Sequence, residues 1–138
     1  MQVQQVIRFG SLAQIAGYDF TQDAGAKTLR VRLYWQVLSE TQTSYKVFVH
    51  VVTPGGQSPA AQHDSVPANG DLPTTAWVHG EYITDEHVIA LPDLPAGPYR
   101  VLAGLYDPQS GVRLPAFAAD GHEFANDAGE LLEFQLGR

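Results

Sequence analysis

Residues 88–107 read VIALPDLPAGPYRVLAGLYD, two apolar runs joined through a corner that carries Pro92, Pro95 and Pro98. Each proline presets φ and removes a backbone donor, so neither a helix nor a mid-sheet ladder is expected to run through this corner. Gly97 supplies the positive φ that a sharp reversal needs. Beyond it, Tyr99, Val101, Ala103 and Leu105 share one face of a strand, and Arg100, Leu102, Gly104 and Tyr106 share the other. A tyrosine just after such a corner matches the tyrosine corner of antiparallel sandwiches, in which the ring enters the core and the hydroxyl reaches back to upstream backbone.

Working outward, residues 29–38 alternate cleanly. Leu29, Val31, Leu33, Trp35 and Val37 face one way, with Arg30, Arg32, Tyr34 and Gln36 opposite, as in a strand with one buried and one wet side. Residues 45–52, YKVFVHVV, are apolar on both faces except at Lys46 and His50, the pattern of a central strand covered on both sides or of a strand beneath a loop. Further strands are predicted over residues 2–9, 12–20, 60–65 (an edge), 81–91, 112–114, 122–124 and 131–136. Turns are read at 21–27, at Pro54-Gly55-Gly56, and at 107–111. Residues 67–77, PANGDLPTTAW, form the longest irregular stretch. Asn69-Gly70 is its turn signal, and Asp71 and Thr74 are suited to bonding local backbone. Eight or nine short strands, closely spaced turns and no convincing helix predict a single all-β domain over residues 1–138. Its expected form is an immunoglobulin-like antiparallel sandwich of two sheets, with a jelly roll or a partly closed barrel as the alternative.

The totals narrow function by exclusion. The 138 residues suit one domain, and a 44% hydrophobic content is that of a globular chain. Fifteen Asp and Glu against eight Lys and Arg give a net charge of −7, which disfavours phosphate backbones and anionic lipid surfaces. Nucleic acid is therefore not an expected partner. Without cysteine there is no disulfide, thiolate metal site or cysteine nucleophile. No apolar run approaches the roughly 20 residues that cross a bilayer. The start, MQVQQVIRFG, lacks the layout of a signal peptide, so the chain reads as cytoplasmic or as a segment of a longer exported protein.

The middle of the chain resembles a known group of bacterial domains. LRVRLYWQVLSE, YKVFVHVV, AQHDSVPANGDLPTTAWVHGEYITDEHVIALP and LPAGPYRVLAGLYDPQSGVRLP follow one another in that order in soluble C-terminal domains of polytopic membrane proteins. Those proteins are similar to dolichyl-phosphate-mannose-type (PMT-like) glycosyltransferases. The resemblance spans about residues 29–114. It implies a domain on the extracytoplasmic face of a bacterial membrane that carries none of the transferase chemistry, and it brings no catalytic residues and no cofactor with it.

For binding, an exposed aromatic ring with carboxylates or amides beside it is the pattern that takes a sugar's apolar face and its hydroxyls. Trp77, Tyr82 and Tyr34 are the candidate rings, with Asn69, Asp71 and Glu81 as the polar companions of Trp77. The competing reading makes Trp77 a lid over the open end of the sandwich, while Trp35 is core. Asp64, Asp71, Glu81 and Asp85 lack the spacing of a calcium loop, and loop acids more often cap turns. Asp85 has the inward parity of Ile83, His87 and Ile89 and needs a partner such as Arg32, Arg100 or His50. His50 is expected to be a hydrogen-bonded core histidine. His63, Asp64 and Ser65 are adjacent in a strand, point alternately and cannot converge as a triad without a bulge. His79 and His87 share a face only if one strand runs between them, so no zinc site is expected. The chain is thus expected to be a non-catalytic accessory or glycan-binding module, its partners a glycan or the parent membrane domain. The alternatives are a purely structural protein-interaction domain and, well behind, a small hydrolase.

Overall fold

In the computed structural model, which describes residues 1–54, 56 and 58–137, strand periodicity sets the architecture. Nine strands are formed among the described residues: β1 (Val3–Phe9), β2 (Ala13–Asp23), β3 (Thr28–Val37), β4 (Lys46–Val52), β5 (Pro59–Ser65), β6 (Tyr82–Ala90), β7 (Gly97–Tyr106), β8 (Ala116–Ala118) and β9 (Gly129–Leu136). Three short 3-10 turns interrupt the loops, at Ala68–Gly70, Thr74–Ala76 and Ala125–Asp127, and there is no α-helix among the described residues. The strands form a five-stranded sheet in the order β6-β3-β2-β1-β8 and a four-stranded sheet in the order β5-β4-β7-β9. All of their pairings are antiparallel. β2, β3 and β6 lie in one layer and β4, β5, β7 and β9 in the other, the division of an immunoglobulin-like sandwich. In a jelly roll successive strands alternate between the sheets; here β1, β2 and β3 are hairpin neighbours in one.

The core lies between the layers. Leu29, Val31, Leu33, Trp35 and Val37 of β3 meet Val47, Val49 and Val51 of β4 and Tyr99, Val101, Ala103 and Leu105 of β7 in one continuous buried cluster. A second, smaller cluster of Phe48, Val52, Leu102 and Ala128 lies on the outer face of the four-stranded sheet, which is why β4 is apolar on both sides. The corner behaves as its prolines require. β7 begins at Gly97, where φ is +142°, and Pro98 pairs only toward β9, since the β4 ladder starts at Arg100. The Tyr99 hydroxyl donates to the Pro95 carbonyl at 2.7 Å, four residues upstream. Tyr99→Phe keeps the ring and loses that bond, so a loss of about 1 kcal/mol in a urea unfolding curve is expected. An unchanged midpoint would show the corner to be held by its prolines alone.

Several local expectations are corrected. Residues 112–114 and 122–124 form only isolated bridges, Tyr106 with Arg113 and Phe117 with Glu123. The short strand β8 lies between them, paired with β1. β2 continues to Asp23, which shortens the turn before β3 to residues 24–27. Thr74 bonds across the fold rather than locally: its Oγ1 donates to the Thr43 carbonyl at 2.7 Å and accepts from the Tyr45 amide at 2.9 Å. In the turn read at Pro54-Gly55-Gly56, Gly55 lies outside the described residues, and the Gly56 amide donates to the Thr53 carbonyl. Among the described residues, no helix is long and apolar enough to cross a membrane.

Candidate functional site

The outward side chains of the five-stranded sheet form a flat polar face, and the strand register aligns five of them in one row. Tyr82 of β6 pairs with Gln36 of β3, Gln36 with Gln14 of β2, Gln14 with Arg8 of β1, and Arg8 with Phe117 of β8. At an interstrand spacing of ~4.8 Å the row is about 19 Å long. Tyr82 is the open end, with 67% of its surface exposed. In the middle, Gln14 Nε2 donates to Gln36 Oε1 at 2.8 Å. Whichever way round the two amides stand, one such bond leaves one NH2 group and one carbonyl oxygen for a ligand. At the far end the Arg8 guanidinium covers the Phe117 ring at 4.5 Å and bonds the Gly10 carbonyl.

The next rows hold the face together. Tyr34 donates its hydroxyl to Asp19, a bond that holds the Asp19 carboxyl below its ordinary value. Glu86 receives both Arg32, at 2.8 Å, and Arg30, and the Arg32 bond is the largest cause of its lowered pKa. Arg8, Arg30 and Arg32 stand against Asp19, Asp23 and Glu86, so the outward face of β1, β2, β3 and β6 is charge-balanced in a chain of net charge −7. The whole acidic excess lies elsewhere. Such a face suits an uncharged, hydroxyl-rich ligand better than a polyanion or a polycation.

The sequence candidates fall in different environments. Trp77 is 1% exposed; its ring packs 5.9 Å from that of Trp35, and its Nε1 donates to the Leu72 carbonyl at 2.9 Å. A sugar cannot stack on a ring whose faces are covered, so the lid reading replaces the stacking one for Trp77. Asn69 and Asp71 are exposed at the first 3-10 turn, where Asn69 takes φ +54°. Glu81 caps its own turn by accepting from the Val78 amide. Tyr82 and Tyr34 alone fall on the flat face. The sequence expectation misses Gln14, Gln36, Arg8 and Phe117 because their alignment exists only through strand pairing. The usable signal was the outward parity of Tyr82, Gln36 and Tyr34.

Two other polar groups are built into the sandwich. On the outer face of the four-stranded sheet, a recess of about 290 Å³ is lined by Phe48, His50, Asp64, Tyr106, Gly111 and Arg113. The Tyr106 hydroxyl donates to Asp64 Oδ2 at 3.0 Å, and His50 Nε2 lies 3.6 Å from Asp64 Oδ1, too long for a good hydrogen bond. Burial raises the Asp64 pKa, but His50, Tyr106 and the nearby His63 together outweigh it and leave the carboxyl below its usual value. The Arg113 guanidinium lies 4.2 Å over Phe48 and covers that ring.

The second group is inside. Asp85 is fully buried and accepts from Trp35 Nε1 at 3.2 Å and the Ala68 amide at 2.8 Å, while His87 Nε2 sits 2.8 Å from its Oδ2. The partners expected for it were others, and alternation explains why they are out of reach. Arg32 pairs with Glu86 on the outer face, Arg100 bonds Glu130, and His50 faces Asp64. The four acids Asp64, Asp71, Glu81 and Asp85 thus occupy separate environments. Among the described residues, no three His, Cys, Asp or Glu side chains are grouped to hold a metal. His63, Asp64 and Ser65 do not converge, for His63 turns to His87 and Asp64 to Tyr106. His79 precedes β6 rather than sharing a strand with His87.

No protein-family model matches the chain, and no curated protein matches it.

Proposed function

We propose that this chain is a non-catalytic glycan-binding module, the accessory domain of a PMT-like membrane glycosyltransferase-related protein, working on the extracytoplasmic side of the membrane. The observation that carries the binding half of this reading is the row Tyr82–Gln36–Gln14–Arg8–Phe117 on a flat, charge-balanced face. An exposed ring, a pair of amides and a guanidinium offer stacking together with both donors and acceptors. Sugar hydroxyls both donate and accept, so mixed polar groups of this kind match them. A row that runs across the strands sets the direction of the ligand, an extended oligosaccharide lying perpendicular to β3. The order of sequence phrases over residues 29–114 supports the association with a membrane glycosyltransferase-like protein.

Both tryptophans are buried, which makes their fluorescence a poor reporter. Amide chemical-shift mapping against a panel of neutral gluco-, manno- and N-acetylglucosamine oligosaccharides is the better test. Shifts are expected to cluster on residues 8, 14, 36, 82 and 117. Tyr82→Ala is expected to weaken binding about five- to tenfold, the equivalent of roughly 1 kcal/mol of lost ring contact. Its folding stability should stay within about 0.5 kcal/mol of the parent, as for an exposed side chain. A panel that produces no shifts would turn the reading to the other class, a face that docks the parent membrane domain.

A further inference from the structure

β5 and β6 are edges of different sheets and no backbone ladder joins them: β5 pairs with β4 and β6 with β3. Side chains close this seam. His63 of β5 and His87 of β6 meet with Nδ1 to Nδ1 at 2.8 Å, and their rings stand nearly perpendicular with centres 5.0 Å apart. His87 Nε2 is held by Asp85, which is also bonded to Trp35 of β3 and to the amide of Ala68 in the connection between β5 and β6. A nitrogen–nitrogen contact of that length contains one proton, neither none nor two.

We propose that Asp85, His87 and His63 form an acid-released clasp, which holds the two sheet edges together while the imidazoles carry at most one extra proton and lets them part when a second arrives. In the neutral pair His87 donates Nε2–H to Asp85, and His63 donates Nδ1–H to the His87 Nδ1 lone pair. One added proton, on His63 Nε2, leaves that arrangement intact. A second puts hydrogen on both Nδ1 atoms, and two cationic rings then face each other across the seam. The charged groups around the pair are few: Asp85 on β6, and Asp64 beside His63 on β5. The inward residues of β4 opposite are Val47, Val49 and Val51, and those of β3 are Val31, Leu33 and Trp35. Burial, and then the neighbouring His87, push the His63 pKa below its ordinary 6.5 against the opposite pull of Asp85 and Asp64.

The sign of the pH effect follows. In the unfolded chain His63 protonates near 6.5, whereas in the fold burial and the neighbouring ring hold it below that value, and the 2.8 Å contact leaves no room for a second proton between the rings. The clasp's contribution to stability is therefore fully present and independent of pH above about pH 7. It falls as pH drops through 6.5 toward the lower folded value, by about tenfold in the folding constant per pH unit for each excluded proton. Below that value the clasp adds no further loss. Release would loosen β5 against β6 at the start of their connection, beside the Ala68 amide bonded to Asp85.

The test compares the parent with His63→Gln, whose amide can still donate to His87 Nδ1 but does not titrate. Urea midpoints between pH 7.5 and 5 should fall more steeply in the parent, and amide exchange in β5 and at Ala68 should quicken in the parent over the same window. Carboxylates titrate in both proteins and drop out of the difference. Parallel profiles would overturn the clasp. Should His63→Gln not fold, imidazole nitrogen NMR of the parent decides: two histidines each titrating independently near 6.5 would overturn it, and a pair taking up only one proton above pH 5 would sustain it. None of this depends on what the flat face binds.

Discussion

Asp85→Ala is expected to remove about 3–5 kcal/mol of folding stability, a large part of the 5–15 kcal/mol that holds a domain of this size together. The reason is what the carboxylate leaves behind. Trp35 Nε1–H, the Ala68 amide and His87 Nε2 all lose their partner in a region where Asp85, His87 and Trp35 are fully buried. Each abandoned donor costs about 1–3 kcal/mol, and the three share one acceptor group, so the total is less than their sum. The alanine also vacates volume between β3 and β6, where Asp85 stands opposite Leu33. Asp85→Asn retains an oxygen for the Ala68 amide and fills the same space; a loss of about 1–3 kcal/mol is expected for it. Urea unfolding with an unchanged slope and a lower midpoint would report both. An alanine variant within 1 kcal/mol of the parent would mean that the buried network is incidental to the fold.

Asp85 also marks where sequence reading stops. Its inward parity with Ile83, His87 and Ile89 is legible, because alternation is a local property of an extended chain. Parity further says that such a carboxylate needs company. Which residues supply it depends on the sheet, and here they come from β3, from the turn at Ala68 and from the second residue along its own strand. Arg32 is adjacent in the ladder yet points outward beside Glu86, so proximity in the sheet without the right face does not help. The same division applies elsewhere. The prolines and Tyr99 announce their corner because the constraint is carried within five residues. β3 announces itself by ten alternating positions. β8 has three residues, too few for a period to register, and exists because β1 offers it a ladder. The row from Tyr82 to Phe117 gathers residues from five strands, and their coincidence is set by register, with bulges in β1 and β2 that no local pattern reveals.

Trp77→Ala is expected to cost about 3–5 kcal/mol while leaving ligand binding on the flat face unchanged. The stability loss follows from the burial of the whole indole against Trp35, at the end of the sandwich where the connection between β5 and β6 folds over the core. Thr74, three residues earlier, anchors the same segment to the β3–β4 loop at Thr43 and Tyr45. The ring therefore fills a space whose walls are held in place, and a cavity there relaxes poorly. Trp77→Phe restores much of the volume but leaves the Leu72 carbonyl without its donor, for an expected loss of about 1–2 kcal/mol. The tilted contact between the two indoles should also contribute to near-ultraviolet circular dichroism, and that signal should weaken in both variants. Binding separates a lid from a ligand platform. A lid variant that is still folded at low temperature should give the same oligosaccharide titration as the parent, whereas Tyr82→Ala should not. If Trp77→Ala instead kept its stability and lost the ligand, the indole would have to swing out of the core to meet the sugar, and the binding surface would have to move from the flat face to the 66–81 connection.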